Sequence, residues 1–235
     1  MKIGIIGAMQ VEVEGIKSEL TGDVTKKTIG GREFVSGKIG NVDVVVCQSG
    51  VGKVNMAMAT QGLIDGYKPD YVLNTGIAGS LDAKIDIGDV VLATEAVEHD
   101  MHVGDFGYPK GQVPGLDVLA FPCDEKLRKL AKDSCEKVNP DIKVFEGRVL
   151  TGDIFVSASD IKKGLIDEFH GLCTEMEGAA LAHVAYLNKI PCLILRVISD
   201  KADNSATVDY PTFENKAAAD SLRLTNEFIR RLGAR

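Results

Sequence analysis

The chain has 235 residues, of which 45% are hydrophobic and 26% charged, and its formal net charge is −7 at pH 7. This length and composition are ordinary for a globular protein with a full core, and we expect one domain over residues 1–235. The negative charge argues against nucleic acid and against an anionic membrane as partners. The apolar runs are only as long as strands, so no segment is expected to span a membrane.

The cysteines and histidines predict neither a disulfide framework nor a metal site. The five cysteines are odd in number, scattered and free of any CxxC pair, and the four histidines form no HxxxH or HExxH pair. Buried thiols in a reducing cytoplasm account for such cysteines, so we expect a cytoplasmic protein. We expect no metal and no other cofactor.

Short apolar runs alternate with helical patterns along the chain. The strand-like runs are residues 3–6, 42–47, 71–74, 90–94, 144–151 and 192–198. The helical patterns cover roughly residues 11–19, 53–66, 124–138, 159–169, 175–188 and 212–232. This alternation predicts an α/β fold with a largely parallel sheet covered on both faces. The mixed polar and apolar run at residues 32–36, after a Gly-Gly turn, predicts at least one antiparallel strand.

Three glycine-containing segments lie at or after strand-like runs, and none has the spacing of a cofactor loop. Residues 4–7 lack the GxGxxG spacing, so a nicotinamide cofactor is not indicated. Residues 49–53 resemble a shortened phosphate loop, but a tight strand-to-helix turn explains them better. Residues 74–79 form a third turn, of a kind that lets a ligand approach backbone N–H groups.

One long segment, residues 98–121, has no clear periodicity and is rich in glycine, proline and aromatic residues. A loop of this length inside a compact domain is usually functional or part of an interface. Because it also contains Phe106, Tyr108, Val113 and Leu116, a floppy surface excursion fits poorly. We expect a partly ordered loop that covers a site or a partner subunit.

Three acids occupy positions where α/β proteins place their sites. Asp200 ends an apolar strand in a Ser-Asp pair, and ligands bind outside the carboxyl ends of such strands. Glu12 follows the first strand, and Glu177 begins a helix rich in small residues. Taken alone, Glu12 could lie on a solvated helix face and Glu177 could be a helix cap, whereas Asp200 is harder to dismiss.

A family resemblance joins these features. The segments KIGIIGAMQVEVEGI, SGVGKVNMA, NTGIAGSL, FGYPKGQVPG, TGDIFV, EMEGAALAHV and LRVISDKAD occur in that order from Met1 to about Phe213. They closely resemble the 5′-methylthioadenosine/S-adenosylhomocysteine nucleosidases of the purine nucleoside phosphorylase-like superfamily. The resemblance implies a three-layer α/β/α sandwich around a twisted mixed β-sheet, and a homodimer. It also implies that water hydrolyses the N-glycosidic bond of adenine nucleosides carrying a 5′-thioether.

The resemblance also implies roles for individual residues. Glu12 would activate the water, Glu177 would hold the ribose hydroxyls and Asp200 would protonate adenine at N7. A buried strand end can raise the pKa of Asp200 so that it holds a proton, and the helix N-terminus should favour ionised Glu12. The further substrate-binding positions are Met9, Val51, Ala78, Gly79, Val103, Phe106, Tyr108, Pro114, Phe155, Val156, Met176, Arg196, Ser199 and Tyr210.

Within that set, Phe155 would stack on adenine and the Val156 backbone would read its edge. Val103, Phe106, Tyr108 and Pro114 match the pocket for the 5′-thioether, part of which comes from the other subunit.

The sequence departs from the family pattern at two positions. Ile77 stands where some relatives have a serine near the attacking water, which removes one hydroxyl contact. Tyr210 stands where a phenylalanine commonly lines the 5′ region, which could add a hydroxyl there.

Three other functions are weighed against this one. A purine nucleoside phosphorylase would need arginine to grip phosphate, but Arg32 is the only arginine before Arg128. A hydrolase of futalosine-type nucleosides would differ in the 5′ pocket, which the sequence settles only partly. A nucleoside-binding sensor without catalysis would not need all three acids. The sequence does not give the preference among methylthioadenosine, adenosylhomocysteine and 5′-deoxyadenosine.

Overall fold

The computed structural model describes residues 1–234. The strands are β1 (Lys2–Gly7), β2 (Thr21–Ile29), β3 (Arg32–Ile39), β4 (Val42–Gln48), β5 (Tyr71–Ser80), β6 (Val90–Glu98), β7 (Phe121–Pro122), β8 (Val144–Thr151), β9 (Cys173–Glu175) and β10 (Cys192–Asp200). The helices are α1 (Gln10–Ser18), α2 (Lys53–Tyr67), α3 (Glu125–Val138), α4 (Ser159–Phe169), α5 (Gly178–Asn188) and α6 (Ala206–Gly233). None of these helices is long and apolar enough to cross a membrane.

The strands join in one mixed sheet. Its order is β2-β3-β4-β1-β5-β10-β6-β8-β9, with β7 beside β6. Strand β1 runs parallel to β4 and β5, and β10 runs parallel to β5. Because β9 pairs with β8 and also with the end of β5, the strands β5, β10, β6, β8 and β9 close into a ring. The mixed sheet confirms the predicted fold class.

Helices cover both faces of the sheet, as the strand patterns predict. On one face, Ile3 and Ile5 of β1 share a core with α1, α3 and α6. On the other face, Ile6 packs in a core with α2 and α5. Alternate residues of one strand point to opposite faces, so an apolar strand such as β1 contributes to both cores.

Several elements differ from the sequence prediction. Residues 74–79, predicted as a turn after a strand at 71–74, instead continue strand β5 to Ser80. Strand β2 was not predicted because it is a polar edge strand, exposed along almost its whole length and paired only with β3. Helix α6 begins at Ala206 and continues through Pro211, a residue that normally argues against a helix interior. The predicted helix at residues 175–188 is wrong at its start, since Glu175 ends β9 and Glu177 is the N-cap of α5.

Candidate active site

A cavity of about 340 Å³ opens at the carboxyl ends of β1, β5 and β10. Parallel strands end at a common edge, so the segments that follow them meet there. The cavity is lined by Ala8, Met9, Glu12, Val51, Ile77, Ala78, Gly79, Phe155, Thr174, Glu175, Met176, Glu177, Ser199, Asp200 and Tyr210. All three acids singled out from the sequence therefore face one cavity.

Glu12 lies in the first turn of α1, and its carboxylate is held by backbone donors. The N–H groups of Ala8 and Met9 donate to Oε2 at 2.7 and 3.0 Å, and Ile77 N–H donates to Oε1 at 3.2 Å. Burial raises the pKa of Glu12 above its ordinary value, although these donors and Arg196 act in the opposite direction. The helix N-terminus was predicted to favour ionised Glu12, but desolvation outweighs the backbone donors there and the pKa rises. A carboxylate with a raised pKa is the stronger base.

Asp200 ends β10 and is buried against the cavity. Its Oδ1 accepts a hydrogen bond from Ala202 N–H at 2.8 Å, and its Oδ2 accepts one from Ser199 Oγ at 2.9 Å. Burial raises the pKa of Asp200, while these two hydrogen bonds oppose the rise. A raised pKa is what a residue needs in order to carry a proton to a leaving group.

Glu177 joins two distant parts of the chain at the cavity wall. Gly52 N–H donates to its Oε1 at 2.7 Å, so the turn before α2 holds this side chain. Burial, followed by the neighbouring Glu175 carboxylate, raises the pKa of Glu177 to about 8.

Two glycines of the NTGIAG segment make room for these acids. A Cβ atom on Gly76 would lie 2.6 Å from Glu12 Oε1, and one on Gly79 would lie 2.7 Å from Asp200 Oδ1. Neither distance is compatible with a normal contact. The segment therefore lacks side chains where the carboxylates come closest to β5.

The aromatic wall of the cavity comes from two residues far apart in sequence. The rings of Phe155 and Tyr210 meet edge to face with their centroids 5.7 Å apart. The Tyr210 hydroxyl lies 3.1 Å from Met9 Sδ and 3.3 Å from Glu214 Oε1, so its polar end points to the α1 and α6 side. An exposed face remains on Phe155, which is 47% exposed.

Several predicted site residues lie elsewhere in the described chain. Val156 lines a smaller cavity beside the first one. Arg196 does not line the first cavity; its buried guanidinium contacts Asn74 and Glu175. The positions Val103, Phe106, Tyr108 and Pro114 do not line the cavity of this single chain. Their assignment to the 5′ pocket stays a prediction.

Sequence reasoning missed Ala8, Thr174 and Glu175 as cavity residues. Ala8 was identifiable from its position next to Met9. Thr174 and Glu175 belong to β9, which is too short to show an alternating pattern and was predicted as the start of a helix.

Comparison with known proteins agrees with this fold. The chain belongs to the phosphorylase superfamily, whose family model matches residues 2–230. Within that superfamily it belongs to the 5′-methylthioadenosine/S-adenosylhomocysteine nucleosidases. One such nucleosidase, from an Exiguobacterium strain, is 41% identical to this chain over 233 residues. The aligned region covers 99% of each of the two chains.

Two solved structures are also similar. The 5′-methylthioadenosine/S-adenosylhomocysteine nucleosidase from Colwellia psychrerythraea, solved with adenine, gives a TM-score of 0.94 at 37% identity, with 99% of this chain and 96% of that chain covered. The futalosine hydrolase of Helicobacter pylori gives a TM-score of 0.93 at 33% identity, with 98% of each chain covered.

Proposed function

We propose that the protein hydrolyses the N-glycosidic bond of 5′-methylthioadenosine and S-adenosylhomocysteine, with 5′-deoxyadenosine as a further substrate. The products are adenine and the 5′-substituted ribose. The observation that carries this proposal is the convergence of Glu12, Glu177 and Asp200 on one cavity. The names of the relatives in this family support the substrate class.

Asp200 is the proposed acid for the leaving group. Breaking the N-glycosidic bond places negative charge on the purine, and a proton at N7 makes adenine a better leaving group. Burial raises the pKa of Asp200, which favours the protonated form that this step needs. Ser199 and Ala202 N–H fix the orientation of its carboxyl group.

Glu12 is the proposed base for the water. The sugar gains positive charge at C1′ in the transition state, and water attacks there as it gives a proton to Glu12. Three backbone N–H groups hold this carboxylate, so it needs little reorganisation during the reaction. The Ile77 side chain lines the same cavity without a hydroxyl, which leaves the positioning of the water mainly to Glu12.

Glu177 is the proposed ribose ligand. Its carboxyl group lines the cavity and accepts a hydrogen bond from Gly52 N–H with one oxygen. The other oxygen can accept hydrogen bonds from ribose hydroxyls when the carboxyl is ionised, which orients the sugar between Glu12 and Asp200. Met176 lies beside it in the cavity wall, and Phe155 offers an exposed ring face on which adenine can stack.

Water is a better candidate nucleophile than phosphate. Among residues 1–234, no lysine or arginine lines the cavity, and the nearby Arg196 is already bound to Glu175 and Asn74. An anion would enter a site walled by carboxyl groups without a matching cation.

The partner subunit is part of the proposal. The residues predicted for the 5′ pocket lie on the 98–121 loop, and Phe106 on this loop is 81% exposed. We propose a homodimer in which this loop completes the 5′ pocket of the other subunit. Aromatic side chains such as phenylalanine are enriched at protein–protein interfaces.

The test is adenine release from methylthioadenosine in phosphate-free buffer treated with a chelator. We expect full activity and free 5′-methylthioribose. Loss of activity that phosphate restores, with a sugar 1-phosphate product, would identify a phosphorylase instead. Because a futalosine hydrolase has a similar structure, the same assay should include a futalosine-type nucleoside. A higher kcat/KM for that substrate would replace the proposed substrate class while keeping the reaction.

A further inference from the structure

Two acids two residues apart at the start of α5 have different environments. Glu177 is the N-cap residue, yet its side chain makes no hydrogen bond to the helix and lies against Gly52 N–H. Glu175 does the capping instead, because its Oε2 accepts from Glu177 N–H at 3.0 Å and from Gly178 N–H at 2.7 Å. Free N–H groups at a helix start need such acceptors. Glu177 is thereby left available to the cavity.

Glu175 is also the charge partner of a buried arginine. Arg196 is 1% exposed and forms a salt bridge with Glu175 Oε2, while Thr151 Oγ1 donates to Oε1. The Nε atom of Arg196 is buried and has no partner among the described residues. A buried charge without a partner is strongly unfavourable, so Arg196 depends on Glu175 to stay where it is.

We propose that Glu175 is a positioning residue, which holds Glu177 and Arg196 in place before substrate binds. This inference rests on the proposed nucleosidase activity and deepens it. Glu175 acts through its two neighbours and is not itself assigned a contact with the reacting atoms.

The charged groups around Glu177 predict the direction in which its pKa should change when Glu175 is replaced. Glu175 from β9 and Glu12 from α1 both raise the pKa of Glu177, in addition to burial, and together they bring it to about 8. Gly52 N–H and Arg196 from β10 oppose the rise. Removing the charge of Glu175 therefore lowers the pKa of Glu177. An ionised Glu177 is the form that accepts ribose hydroxyls, so the rising limb of kcat/KM against pH should move to lower pH.

The first experiment compares Glu175→Gln with the wild-type protein by adenine release from methylthioadenosine across pH. We expect kcat/KM at the optimum to fall by about 10- to 100-fold, the range for one hydrogen bond to a charged group, with KM affected more than kcat. We also expect the rising limb to move to lower pH. A loss of helix capping alone would lower activity without moving this limb.

Two variants separate charge from packing. Thr151→Val removes the hydroxyl that binds Glu175 and Ala179 N–H but keeps every charge. The rising limb of kcat/KM against pH should therefore stay at the wild-type pH in this variant. Glu175→Asp also keeps the charge but withdraws the oxygens by one methylene, so KM should rise while the limb stays in place. If Glu175→Gln does not fold, the Asp variant still tests the positioning role.

A double-variant cycle tests whether Glu175 acts through Glu177. In a Glu177→Gln background, Glu175→Gln should cost much less than it does alone. Additive losses, an unmoved limb in Glu175→Gln, or unchanged KM in Glu175→Asp would overturn the proposal. If the wild-type protein itself releases no adenine, the proposed function fails instead, so the two failures are distinguishable.

Discussion

The acid-lined cavity and the 98–121 loop are built in opposite ways. In the cavity, Glu12 follows strand β1 and Asp200 ends strand β10. Each carboxyl group accepts at least two hydrogen bonds from its own chain. In the loop, Glu98 and His99 are buried at its start and Val113 and Leu116 pack on the core, but the stretch between them presents an exposed Phe106. A single chain is enough to place the groups proposed for bond cleavage. The surface proposed to recognise the 5′ substituent instead needs a partner subunit to pack against.

The largest expected effect is in the cavity. Asp200→Asn keeps the shape of the side chain but removes the transferable proton, so kcat should fall by about 10²- to 10⁴-fold. Substrate affinity should change much less, because the interaction strengthens mainly in the transition state. Single-turnover adenine release and substrate binding at equilibrium measure the two quantities.

Glu12→Gln should also abolish turnover, because the attacking water would lose its proposed base. Since both residues serve one transition state, their losses should not add in the double variant. A near-normal kcat in Asp200→Asn with only KM raised would make Asp200 a binding residue and leave the acid unidentified.

The next effect is expected in the loop. Phe106→Ala should raise KM for methylthioadenosine by about 10- to 100-fold, the equivalent of 1.5–3 kcal/mol for burying a phenylalanine side chain. KM for adenosine, which lacks the thioether, should change less. Ile161→Ala is a suitable control because Ile161 is also an exposed apolar residue but lies on α4.

Sedimentation measures the assembly that this loop prediction requires. The wild-type protein should be a dimer at assay concentration. A fully active monomer would contradict the assignment of Phe106 to a partner's pocket.

A smaller effect concerns stability. Burial raises the folded-state pKa of Glu12, so the folded protein holds this proton more tightly than the unfolded chain. Stability contributed by the protonated form is present at low pH and is lost as pH rises through the raised pKa. Glu12→Gln should therefore raise the free energy of unfolding near pH 8 by about 0.5–2 kcal/mol, and by less near pH 4.

Urea unfolding at both pH values measures this difference. Glu14→Gln serves as the control, since Glu14 is exposed on the same helix. A gain that is equal at the two pH values would show that charge burial is not its cause.

The same contrast explains how far the sequence alone could go. Asp200 was identifiable because a continuous apolar strand ends at it, and Glu12 because it follows the first such strand. Glu175 was missed because β9 is three residues long and its neighbours are set by the ring of strands rather than by a local pattern. Strand β2 was missed because an edge strand exposed on both faces has no apolar alternation. The contacts proposed between the 98–121 loop and a partner subunit would depend on a surface outside the chain.

The smallest expected effect compares one tyrosine from each region. The Tyr210 hydroxyl lies at the cavity beside Met9 and Glu214, whereas Tyr108 is on the loop and does not line the cavity. Tyr210→Phe removes a polar group from the cavity side, so it should lower the kcat/KM ratio of adenosylhomocysteine to methylthioadenosine by about 2- to 10-fold, the worth of one neutral hydrogen bond. Tyr108→Phe makes the same chemical change on the loop. If the loop completes the 5′ pocket, Tyr108→Phe should change this ratio in the dimer as well. A change in the Tyr210 variant alone would confine the 5′ pocket to the cavity of one chain, and no change in either would mean that neither hydroxyl meets the 5′ substituent.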